Sequence, residues 1–438
     1  MKPNIILILI DSMRADKCFN NKNIQTPNID LLIKKGIYFK NGFSSSDYTI
    51  TGYGSIFTGK YPINAGKDGM SYHKIFSDSS NFITILQNNG YHTFATMDSG
   101  LTEIGFDVNF ENEDKGYDRT STNLHEGLDK QILDKIKSFS EPWFYLIHLD
   151  DLHIPIRVPK EYTDKNYSER YDVIVEKIDS FLGKLIETLD LKNTLIILTS
   201  DHGDYLLSED LPKHESSLKS KLRSKLPNST YNYLSSIKRG TKHKIKEFQT
   251  HDPLEKRTLQ TRTAKERYLF DDLIHVPILF SGCGVDSIGP VDDLVRSVDI
   301  FPTLMDLLKI PINLKEIDGK SLVPIFSGKS VDISTVYLEN TIFETDTKNP
   351  QATVGIRTLK YKYFRSLEDP SKKIHLFNLE EDILEEKNIA LENSNLVSKM
   401  ESDLMDLRNK LQKRFEKPSM SVEETKKVED ELKKLGYV

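Results

Sequence analysis

The chain has 438 residues, 37% apolar and 29% charged, enough for one large α/β domain with a smaller appendage. Its 60 Lys and Arg against 66 Asp and Glu give a formal charge of −6, which excludes a general attraction to nucleic acid or acidic membranes. Two cysteines, Cys18 and Cys283, cannot build a framework of crosslinks, so the fold does not depend on an oxidising compartment.

The first predicted element is the isoleucine-rich run Asn4 to Ile10, read as a fully buried strand. It is far shorter than the roughly 20 residues a membrane span needs. An aspartate follows at once and no small-residue cleavage site appears. A cytoplasmic chain without a membrane span is therefore expected. Thr26-Pro27 opens a helix through Lys35, with Thr26 as cap and proline at the first helical position. Phe82 to Asn88 reads as helix, Thr93 to Thr96 as extended chain, and Trp143 to His148 as a strand before a long amphipathic helix near Tyr171 to Leu189. Thr194 to Thr199 and Val276 to Phe280 are two more buried strands. Buried strands alternating with helices predict a mostly parallel sheet flanked by helices.

Residues 213–267 break this pattern: 15 Lys and Arg against 5 Asp and Glu mark a basic insertion. A charge run of this kind is most often a solvated surface. Thr335 to Leu338, Tyr361 to Phe364 and Ile374 to Phe377 read as short strands of a small C-terminal antiparallel subdomain. The expected division is 1–330 catalytic, 331–392 subdomain and 393–438 helical tail, the last a stretch of Lys and Glu with sparse Leu and Met.

Asp11 directly follows the first strand, and Asp201-His202-Gly203-Asp204 directly follows TLIILTS. Carboxyl ends of strands are where ligands gather in open α/β sheets, and an Asp-His pair offers a hard oxygen and an imidazole nitrogen to a divalent cation. Gly203 is read as allowing a sharp turn beside them. A hydroxyl-rich stretch, Asp47 to Pro62, carries Thr49, Thr51, Ser55 and Thr58.

Taken in order, Ile-Leu-Ile-Asp11-Ser-Met-Arg14-Ala-Asp16, Thr26-Pro-Asn-Ile-Asp30, Ser55-Ile-Phe-Thr-Gly-Lys-Tyr-Pro62, Ser200-Asp-His-Gly-Asp204, Phe270 to Pro277, Val298 to Leu304, Asp318 to Leu322 and Leu376 to Asp382 resemble the blocks of sulfatases within the alkaline phosphatase superfamily. The resemblance implies an alkaline-phosphatase-like fold in which Asp11, Asp201 and His202 bind one divalent cation (Ca, Mg, Mn or Zn). By the same resemblance, Thr49 falls at the nucleophile position and would be a further metal ligand. The family's Cys/Ser-x-Pro-x-Arg motif is absent there, so formylglycine is not expected. The resemblance also implies that His153 contacts the ester or protonates the leaving group. Arg14 and Lys265 are candidates for ester oxygens, with a surface ion pair the alternative for each. His148 and Asp150 are candidates to hold part of a second metal.

An unmodified threonine on a cation suits a phosphoryl intermediate, so the expected function is hydrolysis or transfer of phosphate esters through Thr49. A sulfuric ester hydrolase is the alternative, and a non-catalytic binding protein on the same fold is the third reading. The expected partner is a small-molecule, glycan or lipid-headgroup ester.

Overall fold

The computed structural model describes residues 2–65, 81–103, 105–107, 109–206, 268–340 and 352–412. The expected basic insertion, Lys265 within it, and the tail beyond residue 412 lie outside these.

The main sheet has eight strands: β1 (Asn4–Ile10), β2 (Gly36–Phe43), β3 (His92–Asp98), β4 (Gly116–Tyr117), β5 (Trp143–Leu149), β6 (Thr194–Thr199), β7 (Ile278–Gly282) and β8 (Gly289–Arg296), in the order β4-β3-β5-β1-β6-β7-β2-β8. All neighbours are parallel except β7, which runs antiparallel to β6 and β2. β1, β2, β3, β5 and β6 therefore share one carboxyl edge. The strand expected from Val276 starts at Ile278, because Pro277 has no N–H to give the ladder.

Side chains alternate across a strand, and β1 divides the core accordingly. Ile5, Leu7 and Leu9 pack with Ile50, Tyr53 and Phe57 of α2 (Thr49–Thr58) and with Phe82 and Leu86 of α3 (Phe82–Asn88). Ile6, Ile8 and Ile10 pack on the other face, against Ile29, Leu32 and Ile33 of α1 (Pro27–Lys35) and Ile174, Ile178 and Leu182 of α5 (Tyr167–Thr188). Leu128, Ile132 and Ile136 of α4 (Leu128–Ile136) join that second face. The α1 start departs from expectation. Thr26 makes no side-chain cap; Asp179 of α5 instead accepts the N–H groups of Asn28 (3.0 Å) and Ile29 (2.8 Å).

A second sheet, β9 (Val336–Glu339), β10 (Thr353–Arg357), β11 (Tyr361–Ser366) and β12 (His375–Asn378), is antiparallel throughout. Val336, Leu338, Phe364 and Phe377 pack on Phe43, Leu269 and Ile274 of the main body. On its other side, α6 (Ser394–Gln412) covers it through Met400, Leu404 and Leu411. No helix among the described residues is long and apolar enough to cross a membrane.

Candidate active site

Three chain-distant segments meet at the carboxyl edge. β1 delivers Asp11, and the next residue, Ser12, adopts φ 62°, a left-handed conformation that is unusual for a serine. Tyr171 of α5 buttresses this turn, donating to the Ser12 carbonyl (2.8 Å) and accepting the Arg14 N–H (2.9 Å). β6 delivers Ser200-Asp201-His202, and Ser200 Oγ ties this turn to the first by accepting the Met13 N–H at 2.9 Å. The chain leaving β2 begins α2 at Thr49.

Thr49 Oγ1 lies 3.3 Å from Asp11 Oδ2 and 3.2 Å from His202 Nε2. Asp11, Asp201 and His202 each offer a donor atom, all within 4.8 Å of one another. Both carboxylates are fully buried. Asp201 Oδ1 accepts the N–H groups of His202 (2.9 Å) and Ser12 (3.3 Å), whereas Oδ2 has no hydrogen-bond partner. His202 Nδ1 lies 2.7 Å from the Gly203 carbonyl, a contact only a protonated Nδ1 can make, which aims Nε2 at the carboxylates and Thr49. Burial opposes protonation of His202, but Asp201 and Asp11 outweigh it and push its pKa up to about 9. Burial likewise opposes ionisation of Asp11, yet His148, His153 and His202 around it hold it well below the ordinary carboxylate range. The cluster thus attracts positive charge at its centre, and two carboxylates, an imidazole nitrogen and a hydroxyl form a donor set suited to a divalent cation.

Two glycines let the segments close on each other. A Cβ on Gly52 of α2 would stand 2.6 Å from the Asp201 carbonyl oxygen. One on Gly203 would stand 2.2 Å from the Asp272 carbonyl oxygen, so Gly203 serves close approach there rather than the sharp turn read from the sequence.

His153 follows β5, with Nδ1 3.0 Å from Arg119 Nη1 and 2.8 Å from the Ile154 carbonyl. Nδ1 serves one of these at a time, since the guanidinium only donates and the carbonyl only accepts. Burial pushes the His153 pKa down, Asp11 opposes this and Arg119 adds to it. Arg119 also pairs with Asp150 at 3.1 Å. Together with Asp150, His153 and Arg157 it lines a cleft of about 250 Å³.

Arg119 has no sequence signal beyond its place in a polar loop after β4, and sequence reasoning missed it. Ser12 and Ser200 were in view inside the strand-end blocks but carried no assignment. Arg14 meets the ion-pair alternative: its guanidinium is held by Asp16 (2.8 Å), Asp272 (2.5 Å) and the Asp204 carbonyl (3.2 Å), and the pair with Asp272 is largely buried rather than on the surface.

A family model described as Sulfatase matches residues 3–310, and one described as N-sulphoglucosamine sulphohydrolase, C-terminal, matches residues 262–410. Iduronate 2-sulfatase of Mus musculus is 27% identical over 203 residues, 36% of this chain and 36% of that protein. The chain thus spans about a third of the length of the curated relatives it matches. Among solved structures, a 2-O GAG sulfatase is 15% identical with a TM-score of 0.65, covering 96% of this chain and 95% of its own. The phosphonate monoester hydrolase of Agrobacterium radiobacter is 17% identical, also at 0.65, covering 94% and 96%. These two likenesses are of fold.

Proposed function

The chain belongs to the sulfatase family, and from that premise we propose that it hydrolyses sulfuric esters, with Thr49 as nucleophile and Asp11, Asp201 and His202 as ligands of one divalent cation. The observation that carries the proposal is Thr49 Oγ1 held between Asp11 and His202 at 3.3 and 3.2 Å. When bound, such a cation lowers the pKa of the hydroxyl and offsets charge on the transferred group.

Thr49 stands at the first position of α2, so the positive end of the helix faces the group it attacks. Oγ1 gives up its proton as it bonds to sulfur and the bond from sulfur to the alcohol oxygen breaks. His153, whose pKa burial and Arg119 push down, takes up that proton and passes it on to the alcohol oxygen. Water then attacks the sulfo-Thr49 ester, releasing sulfate and restoring the hydroxyl. A threonine has no aldehyde hydrate to expel sulfate, so the second step rests on water reaching the adduct.

The sequence ranked phosphate esters first, because of this threonine. The sulfatase relatives favour the sulfuric ester instead. Hydrolysis of phosphonate or phosphate monoesters is the second reading, supported by Thr49 and by the phosphonate monoester hydrolase of like fold. The alcohol portion is a small molecule or a glycan, in keeping with the 2-O GAG sulfatase of like fold.

The test is hydrolysis of p-nitrophenyl sulfate, p-nitrophenyl phosphate and a p-nitrophenyl phosphonate by one metal-loaded preparation. The sulfate ester is expected to give the highest kcat/KM, and Thr49→Ala to lose it. A dominant phosphonate or phosphate rate hands the site to the second reading. A full rate in Thr49→Ala ends both.

A further inference from the structure

We infer a second divalent-cation site on the β5 side of Asp11, formed by Asp11, His148 and Asp150. It rests on the reading of Asp11 as a ligand of the first ion, and makes that carboxylate a bridge between the two.

Parallel pairing creates the juxtaposition. Leu9 is level with His148 and Ile10 with Leu149, and the Asp11 N–H donates to the Leu149 carbonyl at 2.9 Å. The residues leaving β1 and β5 therefore emerge side by side. Asp11, His148 and Asp150 each offer a donor atom, all within 4.8 Å of one another, and all three residues are buried. His148 Nε2 stands 3.8 Å from Asp11 Oδ2. A tetrahedral site with bonds of about 2.1 Å sets its donors roughly 3.4 Å apart, so a small inward movement closes the His148–Asp11 pair to that spacing.

The unpartnered atoms point to a ligand. His148 is fully buried, and neither of its ring nitrogens has a hydrogen-bond partner. Its ring meets the edge of Tyr53, at 5.4 Å and 71°. A histidine kept only for packing would leave two buried polar atoms unsatisfied, whereas an ion on Nε2 gives one of them a partner. Asp150 presents the same feature: Oδ2 carries Arg119 at 3.1 Å, while Oδ1 is buried without a hydrogen bond. One imidazole and two carboxylates suit Zn²⁺ or Mn²⁺ better than Ca²⁺, which takes six to eight oxygens. A carboxylate shared by two ions fits the spacing of about 3.5–4 Å found in two-metal hydrolytic sites.

The experiment loads the full-length protein with Mn²⁺, removes excess by gel filtration and measures bound manganese by inductively coupled plasma mass spectrometry, alongside anomalous diffraction from the same preparation. Two equivalents are expected, with one anomalous peak beside Asp201 and His202 and another beside His148 and Asp150. His148→Ala and Asp150→Ala are expected to bind one equivalent. One equivalent and a single peak beside Asp201 and His202 overturn the second site and leave the first intact. No bound manganese overturns both. If a variant fails to fold, as judged by circular dichroism, the wild-type peaks decide alone.

Discussion

Gly52→Ala tests whether the approach of α2 to the Asp201 turn is what assembles the site. In an ordinary helix interior this change stabilises by about 1 kcal/mol, because alanine loses less backbone freedom on folding. Gly52 lies within α2 and is buried, so propensity alone predicts a gain. The new Cβ, however, would stand 2.6 Å from the Asp201 carbonyl oxygen and 3.0 Å from both its carbonyl carbon and its Cβ. These are backbone and short side-chain atoms, so either α2 or the 200–203 turn must retreat by roughly half an ångström or more. Overpacking of this kind costs about 1–3 kcal/mol, which offsets the propensity gain and leaves a net loss of up to about 2 kcal/mol. The retreat also separates Thr49 from Asp201 and His202, and a misplacement of that order lowers rate by about 10²-fold. Urea denaturation and kcat/KM on one preparation measure both. A variant as stable and as active as the wild type would refute the reasoning.

Two further perturbations address the surroundings. Arg408 of α6 donates to Glu339 and Tyr337, both at 2.7 Å, and Glu339 is fully buried. Arg408→Leu takes away the cation paired with that carboxylate, leaving it the Tyr337 hydroxyl, and should cost about 3–5 kcal/mol in urea denaturation; a loss below about 1 kcal/mol would show that the tail helix does not secure the small sheet. Burial raises the Asp151 pKa from 3.8 to about 6 against the pull of the Leu124 N–H and Arg157. Because the folded state holds this proton more tightly than the unfolded chain, the wild type loses stability as pH rises from about 4 to about 6. Asp151→Asn should gain on the wild type over that window, by at most about 3 kcal/mol, and hold the gain above it. A pH-independent difference between the two would contradict this.

What the sequence made legible follows from periodicity and burial. β1, β5 and β6 are covered on both faces, so they read as continuous apolar runs, and Asp11 and Asp201 stand out because a charge follows such a run at once. β8 was missed because it is the edge strand: only β2 pairs with it, and Pro290, Asp292 and Asp293 face outward or sit half-buried. Pro290 is tolerated there for the same reason. β2 was missed because Lys40 and Asn41 interrupt its apolar pattern. The cap on α1 was assigned to Thr26 because local sequence cannot reveal that Asp179, some 150 residues away, reaches those N–H groups. Arg119 was invisible for a similar reason. Its partners Asp150 and His153 lie on a different strand end, and it takes the β4–β3 and β3–β5 pairings together to bring the two loops side by side.

The most direct test of the account is to mix metal-loaded enzyme with excess p-nitrophenyl sulfate, quench in acid during turnover, and map any adduct by peptide mass spectrometry. The account predicts a sulfo group on Thr49 that decays with further turnover and is missing in Thr49→Ala. A wild-type rate in Thr49→Ala, with no adduct on the native protein, would contradict it.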